Sequence, residues 1–433
     1  MLGDPESHWS DRLLGEERSG TPRLISTVWL PFSFGYFLSY GLRNINAALA
    51  PELTREFGLS AAELGLLTSA YYVAFALVQL PAGLLLDRFG SRRVHALLLI
   101  VAAAGCALHA AGQSFLQVAL GRALIGVGLS VALMASVKIF AQWFAPARVP
   151  LALNMLLACG GVGAMVATGP VGWSLSFVSW RAVFVVFAVL LLVASLVVYF
   201  ATPERAERSA HDSWAKLASG FVPIFRNGTF WRMSLMMAAV SGTYSAVQSL
   251  WIGPWLRDVG GFSRGTSLTL MSVFALAAMA GYALGGIVCD AFIRRGMTAF
   301  SLYKVQSAAG IVLFALAAFS NGAPSVPLWF AYFCVGPGGA LVLAILSREF
   351  PLNFAGRVNT GNNVFMFSIA FLFQWGIGAM LDRWPVLEGH YSLSGYRAAF
   401  GILLVLQIAA YVLMIAGGRP ARDRKAVHSP AGQ

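Results

Sequence analysis

The sequence predicts an all-α integral membrane protein whose 12 transmembrane helices form two pseudo-symmetric six-helix bundles. Of its 433 residues, 58% are hydrophobic and only 11% are charged. Because an ordinary soluble domain carries about 25% charged residues, this chain has too few polar side chains to cover a water-exposed surface. Apolar runs of about 20 residues, the length of a bilayer-spanning helix, also recur along nearly the whole chain.

Twelve apolar segments can be read in order. The predicted helices lie near residues 24–50, 64–86, 94–113, 116–144, 149–177, 182–201, 231–255, 266–289, 299–320, 326–347, 357–381 and 396–417. The longest polar connection follows the sixth helix and is the natural linker between bundles. We therefore predict a cytoplasmic tail, a first bundle, a cytoplasmic linker, a second bundle and a cytoplasmic tail at 1–23, 24–201, 202–230, 231–417 and 418–433.

The net charge of +12 raises the possibility of nucleic-acid binding, but the positions of the basic residues explain it differently. Lys and Arg concentrate in the turns and tails on one side of the predicted helices, as at Arg88, Arg294 and 419–425, and are sparse on the other. This bias is the positive-inside pattern, which places both termini in the cytoplasm. We expect no nucleic-acid partner, and the short tails favour a bacterial inner membrane.

The turn after predicted helix 2 reads GLLLDRFGSRRV at 83–94. The carboxylate of Asp87 can pair with arginines across a short loop. Gly90 permits a tight reversal of the chain, and Gly83 permits a close helix contact. A charge cluster that breaks when one side opens is a latch between two states. The arginines alone are equally well explained by orientation, whereas an acid adds nothing to orientation. We predict a cytoplasmic latch formed by Gly83, Asp87, Arg88, Gly90, Arg92 and Arg93.

The same pattern returns at 286–296, GIVCDAFIRRG, which places Asp290 in an equivalent latch. WRAVF at 180–184 and YRAAF at 396–400 open predicted helices 6 and 12, again separated by close to half the chain. These correspondences indicate a duplicated six-helix unit. Parallel repeats of this kind place a substrate site between the halves and alternate access to it.

Two sequence motifs of the chain resemble those of a known family. The 83–93 motif resembles the signature between helices 2 and 3 of the major facilitator superfamily, and LGRALIGVG at 120–128 resembles its fourth-helix motif. The resemblance implies a secondary transporter in which helices 1, 4, 7 and 10 line a central cavity. It also implies a structural or gating role for Arg122 and Gly126. The stretch from Gly161 to Pro170 partly matches the fifth-helix motif of antiporters.

The cavity can be sought from ionisable groups within the helices, since these are expensive in a bilayer and usually face an interior. Tyr36, Tyr40 and Arg43 share one face of predicted helix 1 by their four- and three-residue spacing. A guanidinium beside phenolic hydroxyls suits a carboxylate or phosphate, because it offers a bidentate fork. The alternative is an arginine that extends to the outer surface or forms a structural pair.

Four further residues are predicted to bind substrate. Lys138 is a second deep cation in helix 4, although it lies near the cytoplasmic end and can equally reach the interface. Tyr244, Gln248 and Trp251 follow helical spacing in helix 7 and suit an organic substrate, with interhelical packing as an equal alternative.

A bend is predicted in helix 10, because this helix contains Pro337 within the glycine-rich stretch Gly336–Gly339.

Within the superfamily, the segment 43–65 resembles the organophosphate/phosphate antiporters and their organic-anion symporter relatives. Those proteins carry an arginine at the place of Arg43 and a helix 4 cation that Lys138 can match. The phosphate antiporters add an arginine inside helix 7, whereas Arg232 and Arg257 stand at its two ends here. A small organic anion such as a carboxylate therefore fits better than phosphate.

Three functions stay open at this level. The first is transport of a small organic anion by alternating access, and the second is proton-coupled export of a drug or metabolite. The third, a transporter-like sensor, ranks last. No Asp or Glu lies in mid-helix, which favours exchange or facilitated movement over a proton relay, with Glu52 as a weak proton site.

Enzyme activity is not expected, because the sequence contains no nucleotide-binding loop, metal cluster or catalytic triad. We expect no cofactor and no metal. The expected partners are the lipid bilayer, a small-molecule substrate and either a coupling proton or a counter-anion, acting on a monomer.

Overall fold

The structure is a computed structural model that describes residues 22–203, 221–350 and 354–418. These residues form twelve spans, named α1 to α12 in chain order. Much of the predicted linker and nearly all of both predicted tails lie outside the described residues. The predicted boundaries of the two bundles therefore stay predictions, although the twelve-span fold itself is confirmed.

The first six spans form one bundle and the last six the other. In the first bundle the spans are α1 (a π-helical turn Ile25–Trp29, then Leu30–Asn44 and Asn46–Phe57), α2 (Ala61–Phe89), α3 (Ser91–Ala111), α4 (Phe115–Leu129 and Ala132–Trp143), α5 (Val149–Thr168 and Pro170–Ser174) and α6 (Trp180–Ala201). In the second they are α7 (Gly228–Ala246, a π-helical turn Val247–Trp251 and Ile252–Asp258), α8 (Arg264–Arg294), α9 (Ala299–Phe319), α10 (Ser325–Val335 and Gly339–Glu349), α11 (Ala355–Leu381) and α12 (Leu393–Ala416).

Several helices extend beyond their predicted ends because their capping residues lie further out. α1 continues to Phe57, where Gly58 ends it with a φ of 63°. α2 then begins after Ser60, which forms a capping box with Glu63. At its other end, α2 runs past Asp87 to Phe89, so this acid lies in the last helical turn.

Nine spans are long and apolar enough to cross a membrane in the described part of the chain, and α1, α7 and α10 are not among them. All three are interrupted near their middle, α1 at Ile45, α7 by its π-helical turn and α10 at Gly336–Gly338. α4 is likewise broken between Leu129 and Ala132. The predicted bend in α10 is confirmed. Irregular backbone at membrane depth is tolerated where it is buried or lines a cavity, so these breaks mark the interior.

The two ends of the molecule differ in how the bundles meet. We call them the Asp87 end and the Asp382 end, after the acid at each. One cluster of buried apolar side chains runs through the first bundle and continues into the Asp382-end half of the second. A separate cluster fills the Asp87-end half of the second bundle. Among the described residues, the bundles therefore share an apolar core at the Asp382 end.

Three helix pairs make the close approach at that end. A Cβ added at Gly378 of α11 would lie 2.1 Å from the Ala61 carbonyl oxygen of α2. A Cβ added at Gly253 of α7 would lie 2.5 Å from the Ala47 carbonyl oxygen, which Pro51 leaves without its usual helical donor. At Gly172 of α5, the space of an added Cβ is filled by the side chain of Leu268 of α8. Small residues let these helices pack closely, so the Asp382 end is closed.

Candidate functional site

A cavity of about 220 Å³ lies between the bundles, on the Asp87 side of these contacts. The first bundle contributes α1, α2, α4 and α5, and the second contributes α7, α8, α10 and α11. The expected lining by helices 1, 4, 7 and 10 is thus present, with one further pair of helices from each bundle. The polar or charged residues of the lining are Tyr36, Ser39, Tyr40, Arg43, Gln79, Ser130, Gln248, Tyr282 and Asn363.

Arg43 is the one charged residue among the described residues of this lining, and aromatic rings surround it. Its guanidinium carbon lies 4.8 Å from the ring centroid of Tyr40, 5.3 Å from that of Phe75 and 5.4 Å from that of Phe367. Phe367 belongs to the second bundle, so the cation sits where the two halves meet. Within the described ranges no carboxylate pairs with Arg43, and its Nε is buried without a hydrogen-bond partner.

Arg122 of α4 holds the backbone on which Arg43 stands. It is fully buried and donates to the carbonyl oxygens of Leu42 at 2.6 Å and Arg43 at 3.3 Å. The break at Ile45 ends the helical piece, and the last carbonyls of such a piece need other donors. Arg122 therefore supports the position of Arg43.

Gly126, one turn after Arg122, allows α2 and α4 to touch. A Cβ added there would lie 2.3 Å from the Tyr71 carbonyl oxygen. The ring of Tyr71 faces both arginines, at 5.8 Å from Arg43 and 5.3 Å from Arg122. The two residues of the fourth-helix motif thus lie directly behind the cavity cation, where they can shape its surroundings without reaching a substrate.

Three of the other residues predicted to bind substrate also line the cavity. Tyr36 and Tyr40 lie beside each other on α1, with ring centroids 5.3 Å apart. Gln248 enters from the π-helical turn of α7. Together with Arg43 they form a polar group near the middle of the molecule.

Tyr244 and Trp251 do not line the cavity. The hydroxyl of Tyr244 donates to the Phe333 carbonyl oxygen at 3.3 Å, and the indole Nε1 of Trp251 donates to the Gln374 carbonyl oxygen at 2.9 Å. Both contacts lie inside the second bundle. A π-helical turn has a wider hydrogen-bonding register than an α-helix, so the spacing of three or four residues no longer keeps residues beyond 247 on one face.

Lys138 also lies away from the cavity lining. Its Nζ donates to Asp87 Oδ1 at 2.8 Å and to the Leu86 carbonyl oxygen at 3.0 Å. It follows Met134, the last lining residue of the same helix, by four positions, which is about 6 Å along the axis. The structure therefore pairs Lys138 with Asp87, a residue of the predicted latch, and the sequence did not assign this partner.

Of the two glycines in the predicted latch, one behaves as predicted in this structure and the other does not. Gly90 makes the reversal after α2 with a φ of 80°, as expected. Gly83 does not make a close helix contact, since a Cβ there would meet no atom within 4 Å. In this structure the bundles make their close contacts at the other end of α2, so a close helix contact at Gly83 stays a prediction.

Among the basic residues of the turn, Arg92 joins the start of α3 to the end of α6. Arg92 donates to the Thr202 carbonyl oxygen at 3.2 Å and lies 5.3 Å from the Tyr199 ring. Arg88 lies over the ring of Phe89, and Arg93 occupies the first turn of α3. The second copy of the motif is weaker, because Asp290 makes no ion pair or side-chain hydrogen bond in the part of α8 that is described.

Sequence reasoning missed two sets of residues. One is Tyr282, which lines the cavity from α8 and lies close enough to Tyr40 and Arg43 to interact with both electrostatically. As a tyrosine within a run of small apolar residues, it carried a usable signal. The other set closes the Asp382 end, where Glu52 of α1 pairs with Arg264 of α8 and Asp382 caps α2. Nothing in the sequence pairs these distant positions.

Comparisons with known proteins agree with this architecture. The model of the Major Facilitator Superfamily matches residues 32–375. A hexuronate transporter of Escherichia coli (strain K12) is 24% identical over 427 residues, covering 90% of this chain and 93% of that protein. A galacturonate transporter of Dickeya chrysanthemi is 27% identical over 277 residues, or 59% and 78% of the two chains.

A solved structure shares the fold. The bacterial homologue of the human lysosomal transporter Spinster, crystallised in an inward-facing and unoccupied conformation, aligns with a TM-score of 0.73 at 17% identity. The alignment covers 93% of this chain and 98% of that one.

Proposed function

Since this chain belongs to the Major Facilitator Superfamily and is a secondary transporter rather than an enzyme, we propose that its cargo is a small organic anion of the carboxylate type, bound at Arg43. Tyr36, Tyr40 and Gln248 complete the polar part of this site, and Tyr282 adds a contact from the opposite bundle. Lys138, Tyr244 and Trp251 are left out of it.

The observation that carries the proposal is the unpaired charge of Arg43. A cation removed from water is costly unless it finds a partner, and contacts with aromatic faces return about 0.5–2 kcal/mol each. A substrate carboxylate would supply the missing partner through a bidentate pair. The two bacterial relatives are named for hexuronate and galacturonate, both of which are carboxylates.

Alternating access in this proposal uses the two ends in turn. The closed Asp382 end faces outward, and the Asp87 end, where basic residues concentrate, faces the cytoplasm together with both termini. The protein would act as a monomer in a bacterial inner membrane, without a nucleic-acid partner. Lys138 and Asp87 would form part of the latch on the cytoplasmic side.

Coupling is proposed to be anion exchange or facilitated movement. Among the residues described along the cavity, none is an Asp, Glu or His, so no protonatable group of that kind stands beside the substrate. Glu52, the weak proton candidate, pairs instead with Arg264 across the closed end. Proton-coupled export is the alternative, and a pH gradient distinguishes the two.

Flux in proteoliposomes tests the proposal, with labelled monocarboxylates outside and either a counter-anion inside or an imposed pH gradient. We expect saturable uptake that the internal anion stimulates and that the pH gradient leaves unchanged. Arg43→Ala should abolish uptake and Arg43→Lys should reduce it through loss of the fork. Arg397→Ala, an exposed arginine at the start of α12, is the control and should transport normally. Uptake by Arg43→Ala at the wild-type rate would contradict the proposal.

A further inference from the structure

The apolar part of the cavity lining, which we call the methionine wall, is rich in methionine. Four methionines line it, and each comes from a different helix: Met134 from α4, Met237 from α7, Met279 from α8 and Met366 from α11. The chain has 13 methionines in all, so nearly a third of them face this one space. Leu129, Leu133, Leu157 and Leu343 add aliphatic surface beside them.

The methionines stand at two levels of the cavity: Met279 and Met366 lie near the depth of Arg43, and Met134 and Met237 lie further toward the Asp87 end. Gln248 and Met237 both line the cavity from α7 and are eleven positions apart, which corresponds to about 16 Å of helix. Arg43 lies near the middle of the molecule, at the level of the ring of Phe367, the residue next to Met366. The cavity thus offers one cation, with methionine side chains at its level and toward the Asp87 end.

Two of the methionines are held in place by contacts that also define the space. A Cβ added at Gly161 of α5 would lie 2.8 Å from Met279 Cβ, so this methionine stands where the two bundles meet. Met237 Sδ lies 2.8 Å from Asn362 Nδ2, which orients its thioether. Thioether side chains are flexible and polarisable, and they adapt to apolar ligands of different shape.

From this arrangement we infer that the substrate is an amphipathic carboxylate, with its anionic head at Arg43 and an aromatic or alicyclic body against the methionine wall. The inference rests on the proposed function and narrows it. The lining also holds hydroxyl and amide side chains, but a polyhydroxylated sugar acid would place those of its hydroxyls that face the methionine wall against carbon and sulfur, where a thioether is only a weak acceptor. Each hydroxyl buried without a partner weakens binding, whereas an apolar body of similar size gains from the same wall.

Equilibrium binding to the purified full-length protein tests this inference with four probes: benzoate, cyclohexanecarboxylate, glucuronate and the neutral benzamide. We expect both apolar carboxylates to bind at least tenfold more tightly than glucuronate, and benzamide to bind at least tenfold more weakly than benzoate. Arg43→Gln should remove the preference for benzoate over benzamide. This comparison of probes needs no cavity variant other than Arg43→Gln.

Variants of the wall provide the second arm. Met279→Gln and Met366→Gln keep side-chain length but add a polar amide, and each should weaken cyclohexanecarboxylate binding by about tenfold. Met155→Gln on α5 is the matched control, because Met155 is 48% exposed and does not line the cavity, so its affinity should equal that of the wild type.

The possible outcomes separate the anion site from the amphipathic substrate. If glucuronate binds as tightly as benzoate and this binding requires Arg43, the anion site stands and the amphipathic substrate is wrong. The amphipathic substrate is also wrong if neither cavity variant weakens cyclohexanecarboxylate binding. If no carboxylate binds, or if Arg43→Gln binds all of them as the wild type does, the proposed function fails and the inference fails with it.

Discussion

The carboxylate of Asp382, at the end of α11, accepts a hydrogen bond from the backbone N–H of Ala61 at 2.8 Å, across the interface between the two bundles. Its second oxygen accepts from the Ala62 N–H, also at 2.8 Å. Ser60 Oγ accepts a hydrogen bond from the backbone N–H of Glu63, also in the first turn of α2. The N-terminus of one bundle's helix is therefore capped in part by an acid of the other, and this cap is lost when the Asp382 end opens.

Asp382→Asn should shift the protein toward a conformation open at this end. An amide keeps one acceptor but presents an NH₂ group to a helix N–H and loses the favourable charge. A helix N-cap contributes about 0.5–2 kcal/mol, so the open population should rise by about 2- to 30-fold. Spin labels at Arg55→Cys and Leu387→Cys, with the four native cysteines replaced by Ser, measure this opening by electron–electron double resonance.

The control for that measurement is Glu388→Gln, which neutralises an exposed acid of the same connection. It should leave the distance distribution unchanged. An unchanged distribution for Asp382→Asn as well would show that the cap does not stabilise the closed end.

Gly378→Ala should open the same end by steric contact. Its added Cβ would lie 2.1 Å from the Ala61 carbonyl oxygen, so α2 and α11 must separate. Gly376→Ala on the same helix meets no atom within 4 Å and should be neutral or stabilise α11 by up to about 1 kcal/mol. We expect uptake to fall at least tenfold for Gly378→Ala and to persist for Gly376→Ala. Equal activity of the two variants would mean that the contact is not needed for the transport cycle.

Lys138→Met should change the rate of transport without changing the affinity for substrate. Lys138 pairs with Asp87 at 2.8 Å and lies outside the cavity lining, so its loss would affect the latch and leave the anion site intact. The pair is partly exposed, and its contribution should be about 1 kcal/mol or less. Parallel measurements of Kd and of initial uptake rate test this, and a tenfold loss of affinity would return Lys138 to the substrate site.

Arg122→Gln should lower both stability and affinity. The guanidinium is fully buried, and its removal leaves the carbonyl oxygens of Leu42 and Arg43 without these donors. An unsatisfied buried acceptor costs about 1–3 kcal/mol. Thermal unfolding in detergent should show the loss, and Arg122→Lys should recover part of it. Wild-type stability of Arg122→Gln would remove Arg122 from its supporting role.

The sequence predicted the architecture well because hydropathy, charge bias and internal repetition are properties of the chain alone. Arg43 could be placed in the cavity for the same reason, since a cation within an apolar helix needs an interior. Trp251 could not be placed correctly, because it ends a π-helical turn that alters the helical register. Lys138 and Asp382 depend on partners far away in the chain, and one sequence without tertiary contacts does not show them.

The central claim is that Arg43 holds the carboxylate of the substrate. It is tested most directly by the Kd of one monocarboxylate, benzoate, for the wild type, Arg43→Lys and Arg43→Gln. Arg43→Lys keeps a point charge without the bidentate fork and should weaken binding by about tenfold. Arg43→Gln loses the charge and should weaken binding by at least a hundredfold. Equal Kd values for the three proteins would contradict the account.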